Sequence, residues 1–220
     1  MPTPDAIPPL HAVTDDRVVA GDDFAAKAEV VLRAGGSHLA LHLRAPAAPG
    51  RVMHDLAVRL VDIANSCGAL LLVNDRVDVA LAAGAHGVQL GRRSLTVADA
   101  RRLVGDDRLI GASVHDAGEA REAADAGADF LLAGPVYPTA SHRDRPAAGV
   151  RLIEDVARLG LPVIAIGGVT AERAGELRRA GAAGVAAIRG IWDAPSPGEA
   201  VQRYLEAWQS QRRPHRSWCA

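Results

Sequence analysis

Eight short apolar runs recur along the chain, and most of them are separated by a stretch with the spacing of an amphipathic helix. Continuous apolar runs are typical of parallel strands that are covered on both faces. Strands that alternate with helices predict a parallel α/β sheet, and eight such units in 220 residues favour a closed (β/α)8 barrel, the TIM barrel, over an open sheet. The predicted strands span residues 10–13, 39–43, 69–73, 87–90, 109–113, 130–133, 161–166 and 185–188.

The length of the chain fits one barrel domain, because such barrels run roughly 200 to 250 residues. We therefore expect a single domain over residues 1–220, in which residues 195–208 form a closing helix. The proline-rich start, residues 1–9, and the polar end, residues 209–220, are expected to be flexible. A homo-oligomer is left open.

Composition excludes several classes of function. The formal net charge of −1 gives no support for nucleic-acid binding, and no apolar run reaches the ~18 residues that span a bilayer. The start of the chain lacks a signal-peptide pattern, and two cysteines form no disulfide framework, so a cytoplasmic protein is expected. Lys27 is the only lysine and falls within a helical pattern, which argues against Schiff-base chemistry at a strand end.

The segment from residue 161 to residue 190 predicts a phosphate site. An apolar strand runs into Gly167 and Gly168, Thr170 can cap the helix that follows, and the next strand ends at Ala187 and Ile188. In TIM barrels the loops after strands 7 and 8 commonly bind phosphate through backbone N–H groups. The alternative is that the glycines only let a helix pack on a strand.

Polar side chains follow most of the predicted strands, at the end of the barrel where active sites lie. Some have alternatives: Arg44 could be a surface arginine, and either residue of the pair Asn74-Asp75 could cap the next helix. His42 and His142 are the candidate proton carriers, whereas His115 is an even choice between a structural and a ligand-binding role. The candidate binding residues are Arg44, Asn74, Asp75, Ser113, Thr139, Ser141, Gly168, Ala187 and Ile188.

Four segments resemble the thiamine phosphate synthase and TenI family in order and spacing. They are LHAVTDD near the start, VNDRVDVALAAGAHGVQLG at 73–91, GPVYPT at 134–139 and PVIAIGGVTAER at 162–173. The resemblance covers residues 10 to about 205. It implies a (β/α)8 barrel that binds thiazole phosphate, with the phosphate on the Gly168 turn and on the N–H groups near Ala187 and Ile188.

The family resemblance implies two possible chemistries. The synthase couples a pyrimidine methyl diphosphate to thiazole phosphate with Mg²⁺ on two aspartates. The first of these is Asp75, but the second falls on Ser94, and two synthase lysines become Pro46 and His142. A TenI-type tautomerase moves a proton without a cofactor, but the histidine that the resemblance implies for it is Pro135 here.

We rank a TenI-like thiazole tautomerase first, with His142 or His42 as the acid/base and no cofactor. The second hypothesis is a thiamine phosphate synthase that uses Mg²⁺ on Asp75. The third is a non-catalytic, regulatory binder of thiazole phosphate. Magnesium dependence separates the first two, and measurable turnover excludes the third.

Overall fold

The structure, a computed structural model, describes residues 7–139 and 146–210. Its eight strands form one closed parallel barrel in sequence order, with β1 paired to both β2 and β8. The predicted (β/α)8 barrel is therefore confirmed. The strands are β1 (Leu10–Val13), β2 (Leu39–Leu43), β3 (Leu70–Asn74), β4 (Gly87–Leu90), β5 (Leu109–Val114), β6 (Phe130–Ala133), β7 (Val163–Ala165) and β8 (Gly184–Ala187).

Helices follow the strands and cover the outside of the barrel. Within the described residues they are α1 (Asp16–Val19), α2 (Phe24–Gly35), α3 (Gly50–Cys67), α4 (Val77–Ala82), α5 (Val97–Val104), α6 (Ala117–Asp125), α7 (Arg151–Ala157), α8 (Ala174–Arg179), α9 (Arg189–Trp192) and α10 (Pro197–Gln209). Lys27 lies in α2 and pairs with Asp23 at the surface, Nζ to carboxylate oxygen 2.8 Å. Lys27 therefore does not supply the amine at a strand end that Schiff-base chemistry would need.

The strands alternate between two apolar clusters. One set of side chains packs outward against the helices, and a second, smaller cluster fills the barrel interior. Val13, Leu72, Phe130 and Ile164 belong to the interior cluster. Gly111 lets two large interior side chains meet, because a Cβ there would lie 2.2 Å from both Gln89 and Phe130. The interior is therefore a packed core below the barrel mouth.

Several predicted boundaries differ from the structure by one or two residues, and the largest difference is at the seventh strand and the helix after it. The seventh strand was expected over residues 161–166 but spans only Val163–Ala165, because Pro162 has no N–H to donate and Gly167 turns the chain away with a φ of 97°. Thr170 makes no side-chain cap, and the helix after it begins with a 3-10 turn, Ala171–Arg173, before α8.

The described parts of the chain ends are packed. Ile7 is buried in the interior cluster, and Pro9 accepts a hydrogen bond at its carbonyl from Val185 N, 2.8 Å. At the other end α10 continues to Gln209. The flexibility of residues 1–9 and 209–220 stays a prediction, and residues 1–6 and 211–220 lie outside the described residues. Among the described helices, none has the length and apolar character to cross a membrane.

Candidate active site

A cavity of about 790 Å³ opens at the carboxyl ends of the strands. It is where the fold places residues from many βα loops together. Eight of the residues predicted to bind substrate line it: Arg44, Asn74, Asp75, Ser113, Thr139, Gly168, Ala187 and Ile188. The structure thus brings these residues to one place, while their individual roles stay predictions.

The loop after β7 has a backbone that requires glycine. Gly167 and Gly168 have φ angles of 97° and 62°, which side chains other than glycine rarely adopt. A Cβ on Gly168 would also lie 2.6 Å from the Pro138 carbonyl oxygen. The Gly168 N–H has no acceptor among the described residues, whereas the Gly168 carbonyl accepts from Arg173 Nη1 at 2.7 Å. This loop is closely packed and has a free donor at the cavity, as an anion site requires.

The loop after β6 packs against this glycine turn. Val136 N donates to the Ile166 carbonyl and Tyr137 N to the Gly167 carbonyl, both at 2.9 Å. The Arg173 guanidinium lies 4.1 Å from the centre of the Tyr137 ring. The two sequence segments GPVYPT and IGGVTAER are therefore one structural unit, and each supports the conformation of the other.

Arginine side chains supply positive charge around the rest of the cavity. Arg44 follows β2, and Arg92 and Arg93 lie in the loop after β4. Arg189, the first residue of α9, lines the cavity next to the predicted phosphate-binding residues Ala187 and Ile188. Arginines on several sides of a cavity suit a substrate that carries phosphate groups.

Asp75 has a strained backbone and a constrained side chain. Its φ is 64°, unusual for a residue other than glycine, and such strain is concentrated at functional sites. Its Oδ1 accepts from Gly91 N at 3.1 Å and from the Ser94 hydroxyl. Gly91 N also donates to Ser94 Oγ at 2.9 Å. Ser94 therefore holds one carboxylate oxygen of Asp75, and Oδ2 is the oxygen left for a ligand.

The cavity residues fit a magnesium ion only if substrate phosphates and water supply most of its ligands. No group of three or more His, Cys, Asp or Glu side chains in the described part of the chain could enclose a metal. Mg²⁺ is often held by one or two carboxylates, with substrate phosphates and water as the other ligands. Asp75 Oδ2 can supply one such ligand, so the cavity fits Mg²⁺ that arrives with a diphosphate.

A row of amide and hydroxyl groups lies beneath the mouth. Asn74 and Gln89 are register partners on β3 and β4, and Gln89 Nε2 donates to Ser113 Oγ on β5 at 3.0 Å. Asn74 and Ser113 line the cavity, whereas Gln89 is fully buried. These neutral groups suit a heterocyclic ring with nitrogen atoms better than they suit a phosphate.

His42 does not reach the cavity, contrary to the sequence prediction. It points into the barrel interior, is fully buried, and its Nε2 lies 2.7 Å from Nδ1 of His11 on β1. Burial, followed by the nearby His11 ring, holds the pKa of His42 well below its usual value. Residues 40 and 42 share the interior face of β2, and a strand buried on both sides gives no sequence signal for which face that is.

The other predicted polar groups have mixed outcomes. His115 lines the cavity, but its Nδ1 lies 2.7 Å from Glu119 Oε2, which also accepts from the His115 N–H. That pairing favours a structural role at the start of α6. Ser141 and His142 lie outside the described residues, and their roles stay predictions.

Two charged residues of the cavity were missed from the sequence. Asp193 lines the cavity and pairs with Arg17 Nη2 at 2.6 Å, which links the end of α9 to α1. Arg189 lines it from the first turn of α9. The sequence could have indicated Arg189, since a short extra helix after strand 8 is part of the usual phosphate site in TIM barrels.

Comparisons with known proteins agree with this geometry. A model of the thiamine monophosphate synthase family, TMP-TENI, matches residues 10–191. A putative thiamine-phosphate synthase of Geobacter sulfurreducens is 41% identical over 198 residues, which cover 89% of this chain and 92% of that protein. A bifunctional thiamine biosynthesis protein of Symbiobacterium thermophilum is 46% identical over 183 residues, or 81% of this chain, but the match spans only 37% of that longer protein.

A solved structure gives the same result. The thiamine phosphate pyrophosphorylase of Pyrococcus furiosus superposes with a TM-score of 0.82 at 30% identity, covering 96% of this chain and 99% of that one. These names support the synthase, which the sequence ranked second, and give no support to the tautomerase that it ranked first. The family match extends from β1 to α9, across all eight strands and both halves of the cavity. The chain belongs to the thiamine monophosphate synthase family.

Proposed function

We propose that this protein is a thiamine phosphate synthase, which couples hydroxymethylpyrimidine diphosphate to thiazole phosphate and releases pyrophosphate. The observation that carries the proposal is the similarity to proteins named as synthases, 36 to 41% identical over at least 83% of this chain and at least 86% of their own length. The arginine-rich cavity supports it, because a tautomerase has no diphosphate to neutralise.

The two phosphorylated substrates take opposite sides of the cavity in this proposal. The N–H groups of Gly168 and Ile188 receive the thiazole phosphate. Arg44, Arg92 and Arg93 face the diphosphate and stabilise the charge that grows on it as the bond between the methylene carbon and oxygen breaks. The electron pair of that bond leaves with pyrophosphate, and the thiazole nitrogen supplies the pair for the new C–N bond.

Asp75 has a distinct part in this scheme. When Mg²⁺ is bound, it supplies charge neutralisation to the leaving diphosphate, and Asp75 Oδ2 is the protein oxygen that would hold it. The Ser94 hydroxyl keeps the carboxylate in place by donating to Oδ1. The proposal requires no general base, since the attacking thiazole nitrogen carries no proton.

The test is pyrophosphate release by the purified protein, with both substrates and with increasing Mg²⁺. We expect magnesium-dependent release that falls by about 10² or more in Asp75→Asn, which removes a charged ligand. Asp78→Asn is the matched control, because Asp78 lies three residues away, outside the cavity, and pairs with Arg76. Absence of coupling, together with conversion of thiazole carboxylate phosphate to its aromatic tautomer, would refute the synthase and restore the first hypothesis.

A further inference from the structure

Two histidine rings lie against each other inside the barrel, directly below the cavity. His11 Nδ1 and His42 Nε2 are 2.7 Å apart, and His11 Nε2 is 3.0 Å from the Pro8 carbonyl oxygen. Both side chains are fully buried. On the neighbouring strands β2 and β3, two buried atoms have no hydrogen-bond partner among the described residues, His42 Nδ1 and Asn74 Oδ1. Buried polar atoms without partners are rare, so this pair requires an explanation.

The hydrogen-bond partners of the two rings determine which ring nitrogens carry a hydrogen. A carbonyl oxygen only accepts, so His11 Nε2 must carry the hydrogen that points at Pro8. Burial lowers the pKa of His11 to about 3, and the ring is therefore neutral at ordinary pH. Its Nδ1 then has a lone pair, and the 2.7 Å contact requires a hydrogen on His42 Nε2. A neutral His42 with its hydrogen on Nε2 presents a lone pair at Nδ1.

That lone pair decides the orientation of the Asn74 amide. Asn74 is two residues after Leu72, the register partner of His42, so on β3 it shares the interior face next to the His42 ring. Its amide also acts on the His42 pKa in the direction opposite to burial. An amide oxygen that faces a nitrogen lone pair is repelled, while an amide NH₂ donates to it. Oxygen and nitrogen of an amide are exchanged by half a turn of the group, and the hydrogen-bond network is what decides between them. After the half turn, the Asn74 NH₂ group donates to His42 Nδ1, and the Asn74 oxygen no longer faces a lone pair.

We propose that His11 and His42 are positioning residues that hold the Asn74 amide with its nitrogen toward the barrel interior and its oxygen toward the cavity. Asn74 then presents a hydrogen-bond acceptor to the bound substrate, and it selects for an N–H or O–H group at that point. The role of Asn74 in substrate binding rests on the proposed function, but the orientation of the amide does not.

The reverse arrangement is disfavoured by the same contacts. A hydrogen on His42 Nδ1 would make His42 Nε2 an acceptor, so His11 Nδ1 would have to donate. His11 Nε2 would then turn a lone pair toward the Pro8 oxygen, at 3.0 Å. Phe130 packs against both rings, with centroid distances of 5.5 Å and 6.4 Å, and it offers no alternative acceptor.

The orientation is tested without any substrate. Two-bond proton–nitrogen correlation spectra of the full-length protein, with ¹⁵N-labelled histidine, report which ring nitrogen is protonated. We expect both His11 and His42 to be neutral with the hydrogen on Nε2. A hydrogen on His42 Nδ1, or a charged ring near neutral pH, would overturn the proposal. Since this measurement uses the native chain, it does not depend on whether a variant folds.

The consequence for binding is tested with His11→Phe, which keeps a ring but removes the acceptor for His42. The matched control is Leu72→Val, another interior substitution outside the cavity. We expect His11→Phe to raise the KM of one substrate about three- to tenfold, as the loss of one oriented hydrogen bond does, with a smaller change in kcat. Leu72→Val is expected to leave KM unchanged.

Equal KM values in these two variants would contradict the positioning role. The same comparison is made by calorimetry with hydroxymethylpyrimidine diphosphate and with thiazole phosphate separately. If the native protein binds neither compound and gives no turnover, the proposed function fails, while the tautomer spectra still decide the orientation of the amide.

Discussion

Gly168 and Asp75 both have positive φ angles, and both lie in loops that form the cavity. For Gly168 the reason is close packing, because a Cβ would lie 2.8 Å from the Tyr137 Cβ and 2.6 Å from the Pro138 oxygen. For Asp75 the strained backbone turns a carboxylate toward the Ser94 hydroxyl and the Gly91 N–H. The backbone conformations of these two residues fix donors and acceptors at the cavity, and only Asp75 is strained, because glycine adopts a positive φ freely.

Gly168→Ala is predicted to weaken thiazole phosphate binding by on the order of tenfold or more, since the loop must move away from Pro138 to accommodate a Cβ. Isothermal titration calorimetry measures the affinity. Gly160→Ala is the control, because Gly160 has a φ of 86° but open space around its Cβ position. The Gly160→Ala variant carries the same backbone strain, about 1 kcal/mol, at a residue outside the cavity. Equal affinities would show that the phosphate does not bind at this turn.

At the residue scale the sequence predicted the cavity better than it predicted the histidines. Arg44, Asn74, Asp75 and Ser113 follow strand ends, and the parallel sheet brings strand ends together. His42 lies two residues before Arg44. Within β2 the alternation of side chains directs His42 into the barrel core. Sequence alone did not predict the His11 contact, because it joins two strands across 31 positions.

Among the elements, α10 packs against the loop after β7, which is predicted to bind phosphate. Tyr204 on α10 donates its hydroxyl hydrogen to the Val169 carbonyl at 2.9 Å, and burial raises the pKa of Tyr204 to about 12. A Cβ on Gly190 would lie 2.2 Å from the same hydroxyl oxygen. The tyrosine therefore contacts both loops of the predicted phosphate site, on the side of those loops that faces α10.

Tyr204→Phe is predicted to lower the free energy of unfolding by about 1 to 3 kcal/mol, because the buried Val169 carbonyl loses its partner. Tyr137→Phe, at the other tyrosine of the chain, is the control. It removes an exposed hydrogen bond to Glu176 and keeps the ring face that Arg173 contacts, so about 0.5 kcal/mol or less is expected. Urea unfolding of both variants measures the difference, and equal losses would contradict the link.

The elements themselves were largely predictable, since continuous apolar runs identified all eight strands. The exceptions have local causes. Thr170 does not cap α8, and the nearby Thr170 hydroxyl instead holds the pKa of Glu172 below its usual range. A threonine with a nearby acidic residue has two possible partners, and the sequence does not distinguish them.

For the whole molecule, closure of the barrel buries two imidazole rings in its interior. His11 and His42 lie on adjacent strands at the centre of the closed barrel, where neither ring can be charged at low cost. In the unfolded chain both rings are solvated and titrate near the ordinary value of about 6.5. Acid therefore acts on the stability of the whole fold through these two groups.

Between the unfolded pKa, about 6.5, and the folded pKa of His11, about 3, the unfolded chain binds protons that the folded chain does not. The free energy of unfolding should thus fall as the pH falls through this window, by up to about 1.4 kcal/mol per pH unit for each of the two histidines. The pKa of His42 is shifted in the same direction, so both contributions add.

Urea unfolding at several pH values between about 6.5 and 4.5 measures this dependence. The double variant His11→Phe, His42→Leu should flatten the dependence, whatever its own stability, because it removes both groups. His38→Gln, at an exposed position, is the control and should keep the native slope, since an exposed imidazole is solvated in both states. Carboxylates contribute equally to all three proteins, so the difference in the slope of unfolding free energy against pH comes from the two buried rings. Identical slopes would mean that these rings are charged in the folded barrel.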